Sequence, residues 1–263
     1  MMREQQLIRT DTVADGIVEI ALSRPERRNA LTLEMLDELS DAVDRVIGEL
    51  DARVILLTGD GPSFCAGADL RSVHSPDSRA PGEAGLGAAR VWEQLGDVPV
   101  PVIAVVQGHA MTGGLHLALC CDLIVAAEDA IFQDTHARFG LVPGSGEPQR
   151  YARRLGIFLA REMLLASQPF TGAEAAVRGF VARAVPAPRL REDAVRFAEQ
   201  IAANSTRTVG YLKQMLNGGF GRPYGEAQWD DERLNHRGRL NVLPDPDRDA
   251  RLRQFSSRTG SPS

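Results

Sequence analysis

The sequence predicts an α/β fold, with short buried strands alternating with helices and a helical segment at its end. Three observations carry this. Continuous apolar runs in RVILLTG (53–59) and PVIAVVQG (101–108) mark strands covered on both faces. Turns of small residues follow them, GDGPSFCAGAD (59–69) and TGGLH (112–116), and the second leads straight into a helical pattern. Beyond about residue 140 helical patterns take over.

Each element has a local reason. LIRTDTV (7–13) and GIVEIALS (16–23) read as strands around a turn at Ala14–Asp15–Gly16. RPERRNAL is a loop broken by proline. Thr32 caps a helix running to about Leu50, with Leu33, Leu36, Leu39, Val43 and Val46 every three or four residues. Residues 72–89, rich in Ser, Pro, Gly and Ala, read as a surface loop. DLIVAAED (122–129) is a further strand. TGAE (171–174) is a capping box, with Thr171 at the cap and Glu174 three residues on. Helices are expected near 188–203, after the Ser205 cap, and over 224–240. A core over 1–200 and a C-terminal helical region over 201–263 follow, the last few residues fraying.

Bulk properties exclude several classes. The chain has 263 residues, 43% of them hydrophobic, which is ample for a large core. Its net charge of −5 argues against a general nucleic-acid or anionic-membrane surface. Arginine far outnumbers lysine, and pairs such as Arg27–Arg28 and Arg153–Arg154 can hold a phosphorylated small molecule. Three cysteines, Cys65, Cys120 and Cys121, make no disulfide framework or zinc pattern. They read as reduced, buried thiols of a cytoplasmic protein. MMREQQLIRT lacks an apolar signal core, and no run reaches the length of a membrane span.

The two glycine-bearing turns, FCAGADL (64–70) and TGGLHL (112–117), admit two readings. Their glycines permit tight turns and close packing. Alternatively, two helix starts with unpartnered N–H groups converge on a carbonyl oxygen that gains negative charge. Neither GxxxxGK[ST] nor GxGxxG is present, which argues against a P-loop and a Rossmann dinucleotide site.

The order of motifs is specific where each alone is not. RPERRNAL, VILLTGDGPSFCAGADL, PVIAVVQGHAMTGGLHLALCCDLIVAAEDAIFQ and GLVPGSGEPQR together resemble the enoyl-CoA hydratase/isomerase family, the crotonase superfamily. The resemblance covers roughly residues 5–190. It implies a spiral of repeated ββα units, a C-terminal helical region for oligomerisation and pocket closure, and a homotrimer or dimer of trimers. It also implies an acyl-CoA thioester as partner, without nucleic acid or membrane. Coenzyme A enters as part of the substrate, with no permanently bound cofactor and no metal. By position, the backbone N–H groups of Ala68 and Gly113 form the oxyanion hole. Arg24, Arg27, Arg28, Ala66, Asp69, Leu70, Arg71, Gly114 and Leu141 fall along the substrate and its CoA moiety.

The family's hydratases use two glutamates, and both positions carry histidine here: His116, three residues after Gly113, and His136, in DTHARFG. The resemblance therefore implies an acid–base pair of imidazoles. A helix N-terminus disfavours imidazolium, which points to a neutral His116. Asp134 can orient His136 if both side chains share a face. Glu147 is a possible auxiliary acid, or simply a helix-start charge. Phe139, Leu141 and Val142 line the acyl tunnel or the core, and Trp92 closes the pocket or packs at the surface. The implied activity is hydration of a 2-enoyl-CoA. The alternatives are isomerisation, C–C cleavage of an atypical CoA ester, or acyl-CoA binding without turnover.

Overall fold

The computed structural model describes residues 6–69, 90–240, 250–251 and 253–254. Leu70, Arg71, the 72–89 loop and the end of the tail lie outside them. By its contacts the chain divides into Met1–Ala202 and Ala203–Ser263.

Within the first unit the α/β expectation holds, and a ββα unit recurs. Strands β1 (Ile8–Ala14) and β2 (Ile17–Leu22) pair antiparallel, with a bulge between Thr12 and Ala14, and lead to helix α1 (Leu33–Glu49). Gly16, at φ +66°, supplies the turn between the strands. The Thr32 hydroxyl caps α1 by accepting the Met35 N–H at 3.2 Å. β3 (Val54–Gly59) precedes α2, helical residues 90–97. β4 (Val102–Val106) and β5 (His109–Met111) lead to α3 (Gly113–Cys120). β6 (Leu123–Ala127) and β7 (Ile131–Gln133) lead to the single turn α4 (His136–Phe139).

The first strand of each unit enters a six-stranded sheet of order β1-β2-β3-β4-β6-β9, parallel from β2 onward, with β9 at Arg183–Val185. β5, β7 and β8 (Phe170–Thr171) form a second, three-stranded sheet. The β4–β5 and β6–β7 units thus step sideways between two layers, whereas β1 and β2 both lie in the first sheet; β2 and β4 are buried along their whole length. The short strands β5, β7, β8 and β9 carry no legible alternation, and sequence reasoning passed over them.

Three helices follow β7 and its turn: α5 (Glu147–Leu155), α6 (Ile157–Ala166) and α7 (Gly172–Val177). The Thr171–Glu174 capping box at α7 is fully formed. Helix α8 (Leu190–Ala202) packs on β2, β3, β4 and β6. The second unit contains α9 (Thr206–Gly219), capped by Ser205, and α10 (Tyr224–Leu240). No described helix is long and apolar enough to cross a membrane.

Candidate active site

Two turns at the ends of buried strands meet in space. The Cys65 N–H donates to His109 C=O and the Met111 N–H to Cys65 C=O, each at 2.9 Å, which stitches the loop after β3 to β5. The Leu31 N–H donates to Gly67 C=O at 2.8 Å, and the Asp69 N–H returns to Leu31 C=O at 2.9 Å. A Cβ added to Gly113 would stand 3.7 Å from the Ala68 nitrogen, so the two amides are close neighbours. Gly113 opens α3, where an N–H has no intrahelical acceptor. Gly114 answers to packing: a Cβ there would stand 2.3 Å from Cys65 C=O.

Thr112 holds the geometry in a strained form, with φ +50° and ψ −108°. Its neighbours determine it on every side. Its N–H donates to Gln133 C=O at 2.8 Å, its hydroxyl lies 2.7 Å from the Thr135 hydroxyl, and its C=O accepts from the Tyr151 hydroxyl at 3.3 Å.

His116 lies one turn into α3 and is fully buried. The Trp92 ring rests against it at a centroid distance of 4.8 Å. Arg150 Nε donates to His116 Nε2 at 3.1 Å. On the other side of the ring, Nδ1 lies 3.4 Å from Glu147 Oε1, outside hydrogen-bond geometry. Burial lowers the His116 pKa below the ordinary histidine value, and the Arg150 charge pushes the same way; Glu147 only partly opposes them. The neutral imidazole expected from the helix start is therefore favoured chiefly by burial.

His136 stands at the start of α4, where the chain leaves β7. Asp134, fully buried, accepts the His136 N–H at 2.9 Å and lies 3.0 Å from His136 Nδ1 through Oδ2. The two side chains do share a face. Tyr151 donates its hydroxyl to Asp134 Oδ2 at 3.2 Å. Burial pulls the His136 pKa down, but the Asp134 hydrogen bond and charge outweigh it, and the net shift is upward. Glu147 Oε2 lies 3.6 Å from His136 Nδ1, so the Glu147 carboxylate stands between the two imidazoles. That oxygen is buried and has no hydrogen-bond partner.

The predicted CoA-contacting residues divide. Arg24 and Asp69 form an ion pair at 2.8 Å, and Arg24 also donates to Ala30 C=O at 3.0 Å. Arg27 and Arg28 are exposed, and Ala66 is half-buried. Leu141 is exposed beside Phe139 and Val142, which removes the core reading for all three. Asn29 was missed. Buried and at φ +56°, it donates to Asp60, Ser63 and Phe64 carbonyls at 3.0, 2.8 and 3.1 Å and accepts the Arg24 N–H at 2.9 Å. An asparagine in an irregular loop has no periodic signature; its proximity to RPERR was the only available signal. Arg150 and Tyr151 were missed because they face the site only once α5 is docked.

Among the described residues, Asp134, His136 and Glu147 bring three metal-competent donor atoms within 4.8 Å of one another. Protons account for much of this arrangement. Asp134 takes the His136 N–H and the Tyr151 hydroxyl, and His136 Nδ1 lies against the same carboxylate. His109 pairs with the Ser63 hydroxyl at 3.2 Å. The three cysteines are buried, and burial pushes the Cys65 and Cys120 thiols up to about 12.

The sequence profile of the enoyl-CoA hydratase/isomerase family matches residues 12–239. The chain belongs to this family. Its relatives include the probable peroxisomal enoyl-CoA hydratase 1 of Arabidopsis thaliana, 34% identical over 226 residues, which span 85% of this chain and 83% of that protein. Another is the mitochondrial enoyl-CoA hydratase of Pongo abelii, 33% identical over 82% of this chain and 73% of that protein. The crystal structure of an enoyl-CoA hydratase from Bacillus anthracis superposes with a TM-score of 0.89 at 31% identity, covering 96% of this chain and 97% of that one. Family membership makes the α/β architecture described above the crotonase fold.

Proposed function

We propose that this chain is a hydro-lyase that adds water to a 2-enoyl-CoA, with its acid–base chemistry divided between Glu147 and His136. The thioester oxygen sits between the Ala68 and Gly113 N–H groups, which take up negative charge as the enolate forms. Glu147 Oε2 accepts a proton from water as the water oxygen bonds to Cβ. The His136 imidazolium, oriented through Nδ1 by Asp134, delivers a proton from Nε2 to Cα. The substrate gains one water in all: hydroxyl at Cβ, hydrogen at Cα. His116 replaces one of the expected glutamates in position but stands behind Glu147 in role, since Arg150 occupies its Nε2.

One observation carries this reading: a buried carboxylate, with an oxygen unpartnered among the described residues, stands between two imidazoles, one of them on the helix that Gly113 opens. Coenzyme A enters only as part of the substrate, with Arg27 and Arg28 free to meet its phosphates. The relatives' names support the same chemistry, and two of them are named as a peroxisomal and a mitochondrial protein. A cytoplasmic setting for this chain rests on its buried thiols alone. Self-association into trimers, or dimers of trimers, is proposed from exposed apolar side chains. They include Phe158, Leu165 and Val177 in the first unit and Leu216, Phe220 and Trp229 in the second.

The test is incubation with crotonyl-CoA and longer trans-2-enoyl-CoAs in ¹⁸O-labelled water. Loss of the conjugated enoyl absorbance together with label in a 3-hydroxyacyl product is the expected result. Tight binding without conversion overturns hydration and favours the non-catalytic reading. A shifted double bond or a shortened acyl group favours isomerisation or C–C cleavage.

A further inference from the structure

His116 is held by a residue inside the GLVPGSGEPQR motif to which neither that motif nor the family resemblance assigns a role. Arg150 lies three positions after Glu147 on α5, a spacing that puts both on one face of the helix. The first turn of α5 therefore presents a carboxylate and a guanidinium together to the buried His116 ring. Arg150 Nε meets Nε2 at 3.1 Å, and Glu147 Oε1 meets Nδ1 at 3.4 Å.

Guanidinium only donates, and it keeps its charge at any working pH. An Arg150 Nε–H pointed at Nε2 therefore requires a lone pair there. In a neutral imidazole the proton must then sit on Nδ1, the nitrogen that faces Glu147. The ring has little freedom to escape this choice. It is fully buried, with Trp92 at 4.8 Å and Tyr151 at 6.4 Å between ring centroids.

We propose that Arg150 is a positioning residue: it locks His116 as the Nδ1–H tautomer, so that the Glu147 carboxylate, 3.4 Å away and beyond hydrogen-bond geometry, faces the positive end of the Nδ1–H dipole with Oε2 turned free. This rests on the reading in which Glu147 is the base. The alternative tautomer would aim a lone pair at the Glu147 anion from 3.4 Å and push the carboxylate out of place. The same arrangement explains why histidine serves where the family's hydratases carry glutamate. A second carboxylate at position 116 would face Glu147 as a like charge, whereas a neutral imidazole held by Arg150 offers it the positive end of a dipole.

The experiment is long-range ¹H–¹⁵N correlation on ¹⁵N-histidine-labelled protein, with the His116 signals assigned by their loss in His116→Gln. Wild type, Arg150→Gln and Arg150→Met are compared, and kcat and KM for crotonyl-CoA hydration are measured alongside. Wild type is expected to show a neutral His116 protonated on Nδ1. Arg150→Met is expected to show the Nε2–H form or a mixture, with kcat down 10- to 100-fold and KM within about threefold. Arg150→Gln keeps an N–H donor and is expected to recover part of both readouts. A wild-type His116 protonated on Nε2 overturns the proposal. So does an Arg150→Met protein that keeps the Nδ1–H tautomer and full kcat. The tautomer is read without turnover, so failure of hydration itself leaves this measurement standing, and failure of the tautomer leaves the hydratase reading standing.

Discussion

Tyr151 donates its hydroxyl to Asp134 Oδ2 at 3.2 Å, and so a buried phenol stabilises the carboxylate against which His136 rests. Tyr151 also reaches Thr112 C=O at 3.3 Å, so one atom touches both the turn that opens α3 and the carboxylate beside His136. Replacing Tyr151 by Phe keeps the ring and removes both bonds. Asp134 then leans more on His136, whose pKa rises further. The alkaline limb of the kcat profile should move upward, with a stability loss of about 1–3 kcal/mol in urea unfolding. An unmoved limb would separate Tyr151 from His136.

Removing the proposed acid or base should affect turnover more than binding. Glu147→Gln and His136→Gln are each expected to lower kcat by about 10²- to 10⁴-fold while KM stays within a few fold. Steady-state kinetics on crotonyl-CoA checks this. An active Glu147→Gln enzyme would return the role of base to His116.

The two histidines should give opposite pH slopes of stability. The raised His136 pKa contributes stability that is complete below the unfolded value of 6.5 and is lost as pH rises through its folded pKa. The lowered His116 pKa works the other way: its contribution is present above 6.5 and is lost as pH falls toward its folded pKa. In thermal melts across pH 5–8, His116→Gln should flatten the acid side and His136→Gln the alkaline side. A shared slope change in both variants would contradict these shifts.

Much of the fold was legible because it is written in local patterns. Apolar runs give β3, β4 and β6, the turn at Ala14–Asp15–Gly16 sets off β2, and caps at Thr32, Thr171 and Ser205 open their helices where expected. Both turns were legible too, since small residues mark them and backbone hydrogen bonds bring Gly113 and Ala68 together. Of the partners of His116, Arg150 was not legible, and Glu147 was legible only as a possible auxiliary acid or a helix-start charge. Glu147 and Arg150 come from a helix whose docked face no period reveals, and the Arg24–Asp69 pair spans 45 positions. Asp134 was within reach only because it lies two residues from His136.

Asn29 should prove costly to lose. Asn29→Ala leaves the carbonyls of Asp60, Ser63 and Phe64 without its amide donor and frees the RPERRNAL loop from the turn that carries Ala68. A loss of about 2–4 kcal/mol in denaturant unfolding is expected. KM for the CoA ester should rise as well, because Arg27 and Arg28 ride on the same loop. Stability equal to wild type would mean that water replaces the amide.

The proposed grip on a thioester oxygen is made of main chain. Ala68 and Gly113 are drawn together by backbone hydrogen bonds through Leu31, Gly67, Cys65 and Met111, so it survives almost any exchange of side chains around it. Descent with modification can therefore rewrite the side chains around these turns while the backbone arrangement proposed to stabilise an enolate passes on intact. A lineage can trade carboxylates for imidazoles, and one product for another, without first having to reinvent the reactive intermediate.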